Sequence, residues 1–282
     1  VLDSYFLKLY REEGATWLTA NLVLKSFLTC MKYAVENQYI NEVGIMLFYK
    51  PRKRPQLKPQ LLSEMKRKKT VMINREEVRR LLNHITPKDN NVKDWLRFTC
   101  ITTLAFTGLR MSELRALRWD RINFITQKIM IDKSIVDGVM KNTVKAEGSE
   151  GAIQVHPALI KVLMMWKSIQ SKHFTPNKIP LLFCTLKNVS PAVPISERTI
   201  NDWLKLAFHD LGLAKVEVVK NISGNSKHYL KVHWCKFKGC ISRTFRHFSS
   251  TSLLDAQNSN PVLTDNFIKS QIRHKDIRTT RG

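Results

Sequence analysis

Acidic residues are scarce in this chain: 23 Asp and Glu stand against 47 Lys and Arg over 282 residues, a formal charge of +24. So lopsided a balance makes a large polyanion the natural partner, and nucleic acid the first candidate. Long apolar runs are missing too. None reaches the roughly 18 residues of a membrane span, and the N-terminus lacks a signal peptide's charged start, apolar centre and small-residue cleavage site. An intracellular, cytoplasmic protein with no membrane partner is expected. Cysteine is sparse: five residues, an odd number, are scattered at positions 30, 100, 184, 235 and 240. That is no disulfide framework, and reduced thiols are the simple reading. The one cluster that invites a metal, His228, His233, Cys235 and Cys240, lacks the spacing of a zinc ribbon or finger. No metal site is expected. Internal repeats are absent.

What is present can build real cores. A hydrophobic fraction of 43% excludes a disordered basic tail, and the length suits two domains. Over residues 16–40, Leu18, Val23, Phe27, Met31, Ala34 and Val35 recur at helical spacing. From Lys50 to Lys69 the chain is basic and interrupted by Pro51, Pro55 and Pro59, with little apolar surface to fold it. This reads as a linker whose Lys50, Arg52, Lys53, Arg54, Lys58, Lys66, Arg67, Lys68 and Lys69 neutralise DNA phosphates, against the alternative of a merely solvated charge run.

Asn74 followed by Glu77 has the form of a capping box leading into Val78, Leu81, Leu82 and Ile85. A largely apolar helix is expected over 93–106, ended by Gly108, and another from about Met111 to Trp119. Short strands at 122–124, 128–131 and 152–155, with turns at Asp137-Gly138 and Glu147-Gly148, predict a small three-stranded sheet. Helices are expected at 157–172, 196–211, 241–255 and 264–272. The polar, basic, β-branched stretch 214–239, with Ser223-Gly224-Asn225 as its turn, predicts a hairpin insertion that contacts DNA or a neighbouring protomer.

Three boxes stand out in order: Thr107-Gly108-Leu109-Arg110-Met111-Ser112-Glu113, then Arg243-Thr244-Phe245-Arg246-His247, then His274-Lys275-Asp276-Ile277-Arg278-Thr279-Thr280. Any one alone would be weak evidence in a basic helical protein. Together they resemble the catalytic boxes of the tyrosine recombinase, or phage-type integrase, family. The resemblance implies a mainly α fold with a small antiparallel β-sheet (α+β). A helical core-binding domain would occupy 1–49, a basic linker 50–70 and a catalytic domain 71–282.

It also implies metal-free cleavage of a phosphodiester, which needs cations on the developing charge and an acid for the leaving 5′ oxygen. Arginine suits the first task, because its planar fork donates paired hydrogen bonds and stays charged. By resemblance Arg110 and Arg246 clamp the scissile phosphate. Glu113, one turn after Arg110, is its expected supporting partner, although a purely structural pair would use the same two residues. The family's general-acid lysine matches Lys145, with Lys141 a near alternative and an ordinary surface lysine the competing reading. Ala146 and Gly151 depart from the family's usual threonine and arginine there. Arg243 stands where the second box usually has histidine or lysine; it can donate to a phosphate but cannot shuttle a proton. His247 is expected to be structural, and His274 to contact a phosphate oxygen.

The family nucleophile is a tyrosine that would fall immediately after Gly282, while the tyrosines present, Tyr5, Tyr10, Tyr33, Tyr39, Tyr49 and Tyr229, all precede the third box. With Val1 in place of an initiator Met, the natural protein is expected to continue at both ends. Transesterification through a 3′-phosphotyrosyl bond conserves bond energy, so no cofactor is expected. The implied partners are a double-stranded DNA attachment site, a homotetramer assembled on it, and accessory directionality or DNA-bending proteins, in the cytoplasm or nucleoid of a bacterium hosting a phage or mobile element. A catalytically inactive DNA-binding or architectural relative is the alternative, supported by Arg243 and the absent tyrosine. An RNA-binding protein would call for aromatic stacking platforms, which the sequence lacks.

Overall fold

The computed structural model describes residues 17–40, 72–142, 151–174, 181–186, 193–220, 228–237, 242–260 and 263–272. The chain divides into two compact units, Val1–Lys69 and Thr70–Gly282. In the first, α1 (Trp17–Glu36) ends where Gln38 takes the left-handed conformation at φ 58°. There Tyr39 N–H donates to Ala34 O and Gln38 N–H to Val35 O, satisfying the last carbonyls of the helix. Its apolar stripe is placed differently from the expectation: Val23 and Phe27 stay exposed, and Leu24 is buried instead. The expected DNA-contacting side chains from Lys50 to Lys69 lie outside the described residues.

The second unit is mainly helical, with small antiparallel sheets. Helix α2 (Arg75–Ile85) starts on a reciprocal capping box: Asn74 Oδ1 accepts from Glu77 N–H at 2.8 Å and Glu77 Oε2 from Asn74 N–H at 2.9 Å. Helix α3 (Val92–Thr107) is capped by Asn91 and buries Leu96, Cys100, Ile101 and Leu104. Gly108 closes it at φ 59°, the left-handed conformation that glycine adopts without a Cβ penalty.

The helix expected to reach Trp119 is much shorter. Here α4 spans only Met111–Arg115, and a 3-10 turn occupies Trp119–Arg121. Tertiary pairing overrides the helical pattern, because Arg118 becomes extended and bridges Leu181, and Leu182 N–H donates to Leu117 O at 2.8 Å.

Strands β1 (Ile122–Asn123), β2 (Lys128–Ile131) and β5 (Gly151–Gln154) form an antiparallel sheet in the order β1–β2–β5. Along it Ile129, Ile131 and Ile153 turn into the core, while Lys128, Met130, Ala152 and Gln154 face solvent. Two further strands, unforeseen from the sequence, pair as a hairpin: β3 (Ser134–Val136) and β4 (Val139–Lys141). Asp137 and Gly138, at φ 52° and 79°, supply the two positive φ angles a tight right-twisting turn requires.

Helix α5 (Pro157–His173) packs against α3, α6 (Glu197–Asp210) packs against α3 and β6, and β6 (Ala214–Lys220) pairs with β7 (His228–Cys235) as a long hairpin. Helices α7 (Arg243–Ser259) and α8 (Asp265–Ile272) complete the described unit. Trp166, Phe183, Phe208 and Phe245 are its largest fully buried side chains. Trp166 Nε1 donates to Leu182 O at 2.9 Å, so its one polar atom is satisfied inside the core.

Candidate active site

The first arginine is set by local geometry. Gly108 reverses the chain after α3, and Arg110 then occupies the position just before α4 in extended conformation, φ −68° and ψ 150°. Glu113, in the first turn of α4, reaches back to it twice: Oε2 accepts from Arg110 N–H and Oε1 from Arg110 Nη1, both at 2.8 Å. The Glu113 carboxylate is buried (0% exposed), whereas the Arg110 side chain remains 33% exposed. A buried carboxylate is stable only when its lone pairs are occupied, so Glu113 fixes the guanidinium from beneath. Among the described residues, Arg110 Nε and Nη2 have no acceptor. They are donors on a half-exposed cation held in one orientation.

Arg246 comes from the first turns of α7 and works across the chain. Its Nη1 donates to Gly108 O at 3.0 Å and its Nη2 to Ile272 O at 2.7 Å. One guanidinium thereby ties the turn that carries Arg110 to the end of α8, two residues before His274. The approach is close, since a Cβ added at Gly108 would lie 2.7 Å from Ser249 Cβ and 3.5 Å from Arg246 Cα. Helix α8 is fastened to the sheet as well: Gln154 N–H, at the end of β5, donates to Gln271 Oε1 at 3.1 Å. Thus Arg246 joins the turn of the first box to the helix that precedes the third, and the strand that follows the expected lysine turn joins them through Gln271.

Arg243 lies one turn before Arg246 on α7, exposed, with no hydrogen-bond or ion-pair partner among the described residues. His247 is exposed beside it. Lys141 is an exposed residue at the end of β4. Lys145 and His274 lie outside the described residues. Tyr229 is on β7 of the hairpin, 41% exposed. Sequence reasoning passed over Ser249 and Gln271, whose contacts join residues remote in the chain and leave no local signal.

Burial pushes the Cys100 thiol well above its ordinary pKa and raises that of Cys184 as well, so both thiolates are disfavoured. His233 Nε2 pairs with Glu217 Oε2 at 2.7 Å, and no cluster of metal-ligating side chains occurs among the described residues. Asp120 is held below the usual carboxylate range by its hydrogen bond to Arg118.

The phage integrase family model matches residues 72–282. The ICEBs1 integrase of Bacillus subtilis (strain 168) is 33% identical over 112 residues, which are 38% of this chain and 29% of that protein. The match therefore spans under a third of that relative's length. Among solved structures, the Tn1549 transposon integrase in complex with circular intermediate DNA superposes with a TM-score of 0.61 at 15% identity, over 99% of this chain and 78% of that one. The XerH site-specific recombinase bound to palindromic difH substrate gives a TM-score of 0.61 at 16% identity, over 98% and 65%. At such identities the likeness is one of fold.

Proposed function

Since the chain belongs to the phage integrase family, matched over residues 72–282, we propose that it is a site-specific DNA recombinase that integrates or excises a mobile element. The observation that carries the reading is Arg110: a cation locked by a buried carboxylate, with Nε and Nη2 unengaged among the described residues, next to the turn that Arg246 grips. That is an arrangement for holding the non-bridging oxygens of a phosphodiester. The +24 charge supplies the attraction that brings duplex DNA to it.

In the proposed cycle the phenolate of the family's nucleophilic tyrosine attacks the phosphorus. The bond from phosphorus to the 5′ oxygen breaks, and Lys145 donates a proton to that oxygen. A 3′-phosphotyrosyl bond and a 5′ hydroxyl result. The 5′ hydroxyl of a partner strand then attacks the same phosphorus and expels the tyrosine, so neither ATP nor metal enters the balance. Arg246 and His274 complete the phosphate cage, and Arg243 adds a donor without proton transfer. Residues 1–49 serve as a core-binding domain and 50–70 as the linker along the DNA backbone, in a tetramer on the attachment site.

The test uses the full gene product and a nicked attachment-site duplex, scored for a denaturant-resistant protein–DNA adduct on a gel. The wild type should form it, and Arg110→Ala should abolish it at a temperature where the variant is still folded, although leaving the buried Glu113 without its partner lowers the thermal transition. Tight binding without any adduct would overturn the catalytic reading and leave an architectural DNA clamp, the outcome that the arginine at 243 favours.

A further inference from the structure

We propose that the outer face of the β6–β7 hairpin is a second DNA-binding surface, which grips duplex backbone beside the cleavage site through Lys215 and Lys231 flanking the exposed ring of Trp234. The proposal rests on DNA being the substrate.

The hairpin has two unlike faces. Val216, Val232 and Cys235 pack against the core of the catalytic unit. Lys215 stands opposite Trp234 in the strand register, with a bulge after it, and Lys215, Lys231 and Trp234 are exposed, Trp234 by 53%. Residues 214–239 contain six lysines, at 215, 220, 227, 231, 236 and 238, and one acid, Glu217. That acid is engaged by His233 at 2.7 Å, and Lys236 is engaged by the buried Glu77 at 2.5 Å. Neither Lys215 nor Lys231 makes an ion pair among the described residues; Glu217, opposite Lys231 in the register, is the acid that His233 engages. The surface is thus positive after its internal pairs are counted, and it shows a large amphipathic ring suited to packing on a sugar-phosphate edge.

The base of the hairpin is fixed, which a docking surface needs. Lys236 N–H donates to Leu213 O at 2.9 Å, and Phe237 is buried. Its position relative to the site is bounded by the chain itself. Trp234 precedes Arg243 by so few residues that their Cα atoms stand no more than about 32 Å apart even fully extended. A turn of B-DNA is about 34 Å. One duplex passing Arg243 therefore comes within a helical turn of the hairpin. A second copy of this chain fits the face less well, because each copy carries +24 and like charges repel across an interface.

The experiment measures affinity of the full gene product for a duplex of about four helical turns while salt is varied. Wild type should show log K falling linearly with log salt. Lys215→Gln with Lys231→Gln should lower the slope by about 1.8, which corresponds to roughly 60-fold weaker binding at about 0.1 M salt. Trp234→Ala should weaken binding by one constant factor at every salt concentration. Lys161→Gln with Lys172→Gln, on exposed positions of α5, should leave the slope alone. An equal drop there would reduce the effect to net charge and overturn the proposal. So would an unchanged slope in the hairpin variant, or a variant that binds normally and only fails to assemble several protomers. If wild type itself binds without salt dependence, it is the DNA reading that falls rather than the hairpin's part in it.

Discussion

Gly108→Ala should damage this protein twice, and the two injuries can be separated. The residue sits at φ 59°, where an alanine is strained by about 1–2 kcal/mol. Its new methyl would also stand 2.7 Å from Ser249 Cβ and 3.0 Å from Ser249 Oγ, and overpacking of that kind costs about 1–3 kcal/mol. A total near 3 kcal/mol should lower the melting temperature of a unit this size by roughly 6–12 °C. Because Arg246 Nη1 bonds the Gly108 carbonyl at 3.0 Å, the turn's displacement should also reduce adduct formation, on the order of 100-fold for a 1 Å shift. The informative assay is a double-mutant cycle by thermal denaturation. Ser249→Gly removes both crowding atoms and none of the backbone strain, so in the Gly108→Ala background it should restore about 1–3 kcal/mol relative to its own cost. If the two substitutions are additive within about 0.5 kcal/mol, the helices are not in the contact described and the reasoning is refuted.

Other perturbations have equally definite outcomes. Glu113→Gln exchanges a charge-assisted bond to Arg110 for a neutral one at a fully buried position and should cost about 1–3 kcal/mol in chemical denaturation, with adduct yield falling further than stability alone explains. Asn74→Ala removes the side-chain half of the α2 capping box and should cost about 1 kcal/mol without altering cleavage once corrected for folded fraction. Asp120→Asn should flatten the acid limb of the stability profile. The Asp120 carboxyl is held low by Arg118, so its contribution is fully present above the ordinary carboxylate pKa of about 3.9 and is lost as pH falls through the lower folded value. Melting temperatures of the two proteins should differ near neutrality and converge in strong acid.

Features encoded in neighbouring residues were legible, and features made by distant contacts were not. The capping box at Asn74 and Glu77 needs only three residues' separation, and it is visible in both sequence and structure. Gly108 was readable as a helix end, but its crowding against Ser249 was not, because helical periodicity says nothing about which helix arrives from elsewhere. The segment after Met111 carries a helix-like pattern, and it unwinds because Leu117 and Arg118 find backbone partners at Leu182 and Leu181. Strands β3 and β4 are too short for alternation to reveal; only their Asp-Gly turn left a mark. At the site, the Arg110–Glu113 pairing follows from spacing along one turn. The twofold grip of Arg246 on main-chain carbonyls joins three parts of the chain that no sequence pattern connects.

That grip gives α8 a hold on the turn that carries Arg110. When α8 frays, Arg246 loses the Ile272 carbonyl, and the guanidinium that also holds the Gly108 carbonyl loses one of its anchors. The opening of one end is thereby transmitted to the turn under Arg110 without any intermediary. Amide protons at the close of α3 and along α8 should consequently exchange with solvent as one cooperative unit. A small molecule of guanidinium chloride added to an Arg246→Ala protein would be unable to rescue it, because what the side chain supplies is a tether as much as a charge.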